Sequence, residues 1–202
     1  MADPEAKPSA LNIPNALTLV RLLLVPVFGY FLLVEDGQNE TYRYIAGLIF
    51  IFASITDWVD GYLARKMNVV TSFGKIADPI ADKALTGVAL VGLSILDDLA
   101  WWITAVIIGR EVLVTVVRFA VISDGVIPAS RGGKLKTVTQ MIAILLYLLP
   151  LTGFLVTVRT IVMGIALLLT IATGIDYCFR AVGVRRAAEL RREAFDDTEL
   201  SE

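Results

Sequence analysis

Four carboxylates stand close together in a chain that is otherwise mostly apolar: Asp57, Asp60, Asp78 and Asp82. At about 100° per residue, a helix through the first pair sets Asp57, Asp60, Gly61 and Ala64 within an arc of roughly 100°. Asp78 and Asp82 are related as i and i+4, so a helix gives them a common face as well. Asp78 followed by Pro79 reads as the start of that second helix. Asp is a good N-cap, and Pro suits the first helical position because an N–H there would be unpaired anyway. The predicted arrangement is two helices meeting at a polar loop, each presenting two acids.

Ionised acids at this density raise one another's proton affinity unless cations hold them. The chain has no histidine and one cysteine, so the ligands on offer are oxygens, which favour hard ions such as Mg²⁺ or Mn²⁺. Four solvated acids around a loop are the bland alternative. Against it, acids within a membrane are expensive and are usually there for a function.

The elements that must position these acids are membrane spans. Of 202 residues, 56% are hydrophobic, too many for an ordinary soluble domain. Apolar runs of about 20 residues fit a hydrocarbon core of roughly 30 Å. Six are read, at about 15–34, 43–64, 79–97, 100–122, 137–156 and 159–180, with a break near Gly153–Arg159. The all-α fold predicted is a single polytopic membrane domain over residues 1–202, with a polar segment 1–12 and a charged tail 185–202, helical in its first half. The first ten residues are polar and no small-residue cleavage site follows, so the first run reads as retained. Cys178 has no partner, which excludes a disulfide framework.

Charge sets the orientation. Arg65, Lys66, Lys75, Arg131, Lys134, Lys136, Arg180, Arg185, Arg186, Arg191 and Arg192 fall on one side of the spans; Arg43 and Arg159 fall on the other. The positive-inside rule then places both termini and the acid-bearing loop in the cytoplasm, at the cell membrane. Trp101 and Trp102 come at the outer interface, as anchors. Pro26 and Pro150 lie in apolar runs and can kink them.

Further polar residues sit in or beside the spans. Asn15 is either an N-cap of the first span or a functional group, with Thr18 and Arg21 following it. Arg21 lies about two turns into an apolar helix and needs an anionic partner. Arg110 and Arg118 are about 80° apart around the fourth span and can address one cavity, although Arg110 with Glu111 could equally be a neutralising pair. Ser130, Arg131, Lys134 and Lys136 form a basic loop suited to lipid headgroups or to a phosphate-bearing substrate, Arg131 being set apart by two glycines. Asp176 can pair with Arg180 at i+4.

The acids and their neighbours spell D-x2-D-G-x2-A-R-x8-G-x3-D-x3-D, filled by Asp57, Asp60, Gly61, Ala64, Arg65, Gly74, Asp78 and Asp82. This resembles the signature of the CDP-alcohol phosphotransferases at every position. The likeness runs over essentially the whole chain and is nearest to the branch that acts on glycerol 3-phosphate, through NIPNALTLVR, TDWVDGYLAR, GREVLVTVVR and GGKLKT. It implies transfer of a phosphatidyl group from CDP-diacylglycerol to glycerol 3-phosphate with release of CMP, dependence on two Mg²⁺ or Mn²⁺ ions, and a homodimer in the bilayer, with no nucleic acid as partner.

Carried over by position, the resemblance makes Asp57, Asp60, Asp78 and Asp82 metal ligands, with Asp82 also the general base. Gly61, Ala64, Arg65 and Gly74 would hold the CMP part, with Asn15, Thr18 and Arg21 on the nucleotide and phosphate side. Arg110, Arg118, Lys134 and Lys136 would hold the acceptor phosphate. Inositol phosphate or a second phospholipid are the alternative acceptors within the family. A cation or proton transporter is the alternative of a different class. It is disfavoured because the acids cluster at one membrane face and no polar chain crosses to the other. A polyprenyl diphosphate transferase would need paired acid-rich motifs, and Asp97–Asp98 is a lone pair on the outer side.

Overall fold

A computed structural model describes residues 13–66, 72–122 and 131–199, except for the side chains at 13–15, 58, 60–66, 72–79, 82, 131 and 189–199. The described residues form helices and no strand: α1 (Ile13–Leu33), α2 (Glu40–Lys66), α3 (Ser72–Ile95), α4 (Trp101–Val121), α5 (Arg131–Leu148) and α6 (Phe154–Glu199), with a 3₁₀ turn at Val34–Gly37. Each apolar run of the sequence falls mainly on one helix, the fifth (137–156) running past the end of α5 into the first residues of α6. Two stretches among the described residues are long and apolar enough to cross a membrane by length and composition, Ala16–Gly37 and Phe154–Ala188, and Lys83–Ile95 is a shorter apolar helix.

The chain divides into two compact units, one running to Ala100 and taking in Ile144–Gly153, the other holding Trp101–Ala143 and the chain from Phe154 onward. In the first unit, α1 packs against α2 and α3. Its buried face is the helical stripe Thr18, Arg21, Val25, Phe28 and Leu32, at spacings of three and four residues. Phe28 meets Phe50 of α2 with ring centroids 5.9 Å apart. Leu32 presses on Gly92 of α3 so closely that a Cβ there would lie 2.6 Å from a Leu32 methyl. In the second unit α4 packs against α6.

The connections carry their own chemistry. Asn39 caps α2, its side-chain oxygen accepting from the N–H groups of Thr41 at 3.0 Å and Tyr42 at 3.4 Å. At the end of α3, Asp97 takes the left-handed conformation (φ 58°). Its N–H reaches the Ser94 carbonyl and that of Asp98 reaches Leu93, a Schellman closure with Asp in the place glycine usually fills.

Three boundaries differ from those read in the sequence. Asp78 and Pro79 lie inside α3, which begins at Ser72, and so they do not start that helix. The cap-like dipeptide is overridden because apolar surroundings reward continuous backbone pairing, and proline forfeits only one donor. The α5–α6 break comes at residues 149–153, ahead of Gly153–Arg159, so Pro150 terminates a helix where a kink was expected. Pro26 does lie within α1. The tail is helical to Glu199, well past its first half.

Candidate active site

The last turns of α2 and the first turns of α3 bear the acid motif. The buried face of α2 runs Arg43, Ala46, Phe50, Ala53 and Thr56, so the register delivers Asp57 beside the packed side of the helix, and Asp60 follows three residues on. Asp57 receives a charge-assisted bond from α1: Arg21 Nη1 lies 2.5 Å from Asp57 Oδ1. The Arg21 side chain is 0% exposed and that of Asp57 is 40% exposed, so one end of the pair is locked in protein and the other stays within reach of a ligand. The anionic partner that Arg21 required is therefore the first acid of the motif. Thr18 is also buried, one turn before Arg21 on the same stripe.

Asp78 and Asp82 are one turn apart on α3. The side chains of Asp60, Gly61, Ala64, Arg65, Gly74, Asp78 and Asp82, and that of Asn15, lie outside the described residues. Among the described residues, no three potential metal ligands come together. The chemistry of the donor set is all oxygen, and Asp57, a half-exposed carboxylate fixed at one end, fits a hard divalent cation.

The second unit holds the cations. Glu111 Oε1 accepts from Arg110 Nη1 at 3.0 Å and from Lys136 Nζ at 2.5 Å, joining α4 to α5. Arg110 Nη2 donates to Thr173 Oγ1 on α6 at 3.2 Å. Arg118 also turns to α6: its Nε lies 3.4 Å from the Tyr177 hydroxyl, and its guanidinium carbon is 5.9 Å from that ring's centroid. Lys134 is exposed whereas Lys136 is 5% exposed, because two residues along a helix turn the chain through about 200°. Arg110 and Lys136 thus come together on one carboxylate; Arg118 and Lys134 stand apart from them. Arg110 and Lys136 therefore bring two cationic groups to one place on α4 and α5, a chemistry suited to an anion.

Glu111 is the residue the sequence left as one half of a neutralising pair. An acid in an apolar helix with one adjacent arginine was a signal for a second cation from another helix. Arg43 was likewise counted as an outer-side charge and Asp98 as half of an outer acidic pair. In the structure Arg43 is buried, donates to Asp98 Oδ2 at 2.6 Å, and reaches the carbonyls of Leu148 at 3.0 Å and Tyr147 at 2.7 Å. The expected Asp176–Arg180 pair is present at 2.9 Å on exposed side chains.

The model of the CDP-alcohol phosphatidyltransferase family matches residues 11–172. The chain is 52% identical over 181 residues to a "Probable phosphatidylglycerophosphate synthase" of Mycobacterium tuberculosis (strain ATCC 25618 / H37Rv), covering 88% of this chain and 87% of that one. It is 40% identical over 179 residues to the "CDP-diacylglycerol--glycerol-3-phosphate 3-phosphatidyltransferase" of Bacillus subtilis (strain 168), covering 82% and 93%. To the protein of the same name in Rickettsia typhi it is 42% identical over 171 residues, covering 82% and 94%.

Proposed function

The chain belongs to the CDP-alcohol phosphatidyltransferase family, and from this we propose that it transfers the phosphatidyl group of CDP-diacylglycerol to glycerol 3-phosphate, giving phosphatidylglycerol phosphate and CMP. The observation that carries the reading is the complete acid motif, carried by the last turns of α2 and the first turns of α3, in a chain whose relatives are named for this acceptor.

Asp57, Asp60, Asp78 and Asp82 are the residues that would hold divalent metal, two Mg²⁺ or Mn²⁺ ions. When bound, such ions supply charge neutralisation for the diphosphate and for the departing CMP oxygen. Arg21 ties Asp57 from within the protein, which would orient this ligand before substrate arrives. Gly61, Ala64 and Gly74 keep side-chain bulk away, which lets the nucleotide lie against backbone, with Arg65, Asn15 and Thr18 around it. Asp82 takes the proton of the acceptor hydroxyl as that oxygen bonds to the phosphatidyl phosphorus and the CMP oxygen leaves with its electron pair. Of the four cations read for the acceptor's phosphate dianion, Arg110 and Lys136, which meet on Glu111, would hold it, with Arg118 and Lys134 set apart from them.

The domain, residues 1–202, is read as six membrane spans with both termini and the acids on the cytoplasmic side of the cell membrane, working as a homodimer. Support comes from large apolar side chains exposed on every helix, among them Leu23, Phe52, Ile80, Phe119, Ile142 and Leu168, which water would not tolerate in such number.

The test is an acceptor screen. Purified protein in detergent micelles, with CDP-diacylglycerol and Mg²⁺, is offered glycerol 3-phosphate, inositol phosphate, phosphatidylglycerol and serine in turn while CMP release is measured. Glycerol 3-phosphate should be used at least tenfold faster than the others; release with another acceptor and none with glycerol 3-phosphate overturns the proposal.

A further inference from the structure

We propose that the Thr173–Gly174 step of α6 is a positioning element that fixes the Arg110 guanidinium for the acceptor phosphate; this rests on the reading of Arg110 given above. Arg110 leaves α4 and lies against α6 at these two residues. The Thr173 hydroxyl donates to the Leu169 carbonyl at 2.7 Å, which aims its lone pairs away from its own helix, and it accepts from Arg110 Nη2 at 3.2 Å. Gly174 is buried, and a Cβ there would sit 3.0 Å from Arg110 Cγ, 3.5 Å from Nε and 3.9 Å from Cδ. The aliphatic stem of the arginine is therefore laid across bare backbone. Cγ is near the root of the side chain, so Arg110 cannot yield to a bulkier residue without changing its first torsions.

Glycine inside a helix costs about 1 kcal/mol against alanine. Its place in the middle of a 46-residue helix is explained by the space Arg110 occupies. On the opposite edge of the guanidinium, Nη1 is tied to Glu111, which also takes Lys136. Two anchors on different helices thus hold the planar fork, while Nε is buried with no hydrogen-bond partner. An arginine so fixed has lost its rotamer freedom before any ligand binds, and it keeps donor capacity for an anion. Thr173 and Gly174 need not touch the acceptor; they set where the charge is.

The experiment uses the full chain in lipid nanodiscs, with glycerol 3-phosphate titrated at saturating CDP-diacylglycerol and CMP release as the rate. Arg110→Ala is the reference. Thr173→Val, which keeps shape and removes the hydroxyl, should raise the acceptor KM roughly tenfold with the CDP-diacylglycerol KM within about twofold. Gly174→Leu should act in the same direction, and Thr173→Ser should restore near wild-type KM. Gly174→Ala guards against a folding artefact, because alanine favours the helix: its thermal midpoint should not fall while its acceptor KM rises. The proposal is overturned if Arg110→Ala raises the acceptor KM but Thr173→Val and both Gly174 variants do not, or if donor and acceptor KM rise together. If Arg110→Ala itself leaves the acceptor KM unchanged, the acceptor-site reading fails, and the positioning role fails with it.

Discussion

Arg21 of α1 and Asp57 of α2, 36 residues apart in sequence, meet at 2.5 Å with the arginine wholly enclosed. Neither residue explains itself alone. The arginine is a charge buried in an apolar helix, and the aspartate is the first acid of the motif. Arg21→Ala should therefore lower the thermal midpoint and weaken Mn²⁺ binding by roughly tenfold, as read by electron paramagnetic resonance of free Mn²⁺, since a charge-assisted bond contributes about 1.5–3 kcal/mol. Unchanged Mn²⁺ affinity would show that the pair serves packing only.

Metal removal gives a second outcome. Excess EDTA should abolish CMP release, and Mg²⁺ or Mn²⁺ should restore it, because the donor set is all oxygen. Full activity in the chelator would sink the metal reading.

Among the acids, Asp57→Asn and Asp78→Asn should lose both metal binding and activity. Asp82→Asn should lose turnover by about 10²–10⁴ while CMP still binds. Isothermal titration with CMP and Mn²⁺ separates the two cases; equal loss of metal binding in all three variants removes the support for Asp82 as base.

For the acceptor, Lys136→Ala and Arg110→Ala should raise the glycerol 3-phosphate KM by about 10- to 150-fold with little change for CDP-diacylglycerol. Lys134→Ala should have a smaller effect, since Lys134 is exposed and Lys136 is the one that reaches Glu111. Wild-type acceptor KM in both Lys136→Ala and Arg110→Ala would reassign the cluster to lipid headgroups.

Arg43 offers a test of stability alone. Arg43→Ala removes one ion pair and two carbonyl contacts in a buried setting. It should cost about 3 kcal/mol or more, read as a lower midpoint in detergent unfolding. A midpoint equal to wild type contradicts a structural role for this residue.

Much of this was legible in the sequence, and the remainder follows a pattern. Helix number and approximate extent come from apolar runs, because in lipid every backbone group must pair within its own segment. The acid motif stands out in the sequence because its spacing is local, but the side chains of Asp60, Asp78 and Asp82 lie outside the described residues. The ends of α3, α5 and α6 were misplaced where a local signal, Asp78–Pro79 or Pro150, competes with the surrounding helix. What sequence could not supply is which charge meets which. Arg21 with Asp57, Arg43 with Asp98, and Glu111 with Lys136 are each a partnership between segments distant in sequence. Composition shows that a buried ion needs a partner; packing alone selects it.

The Arg43 contacts also impose an order on biosynthesis. Two of its three partners, the carbonyls of Tyr147 and Leu148, lie 104 and 105 residues downstream. At ribosomal speeds of about 5–20 residues per second, the stretch between Asp98 and Leu148 takes roughly 3–10 s to make. Throughout that interval the nascent first unit has Asp98 on hand for the guanidinium but lacks both carbonyl acceptors. A message truncated after α3 would therefore release a product whose inner arginine is left incompletely solvated, a substrate for quality-control proteolysis.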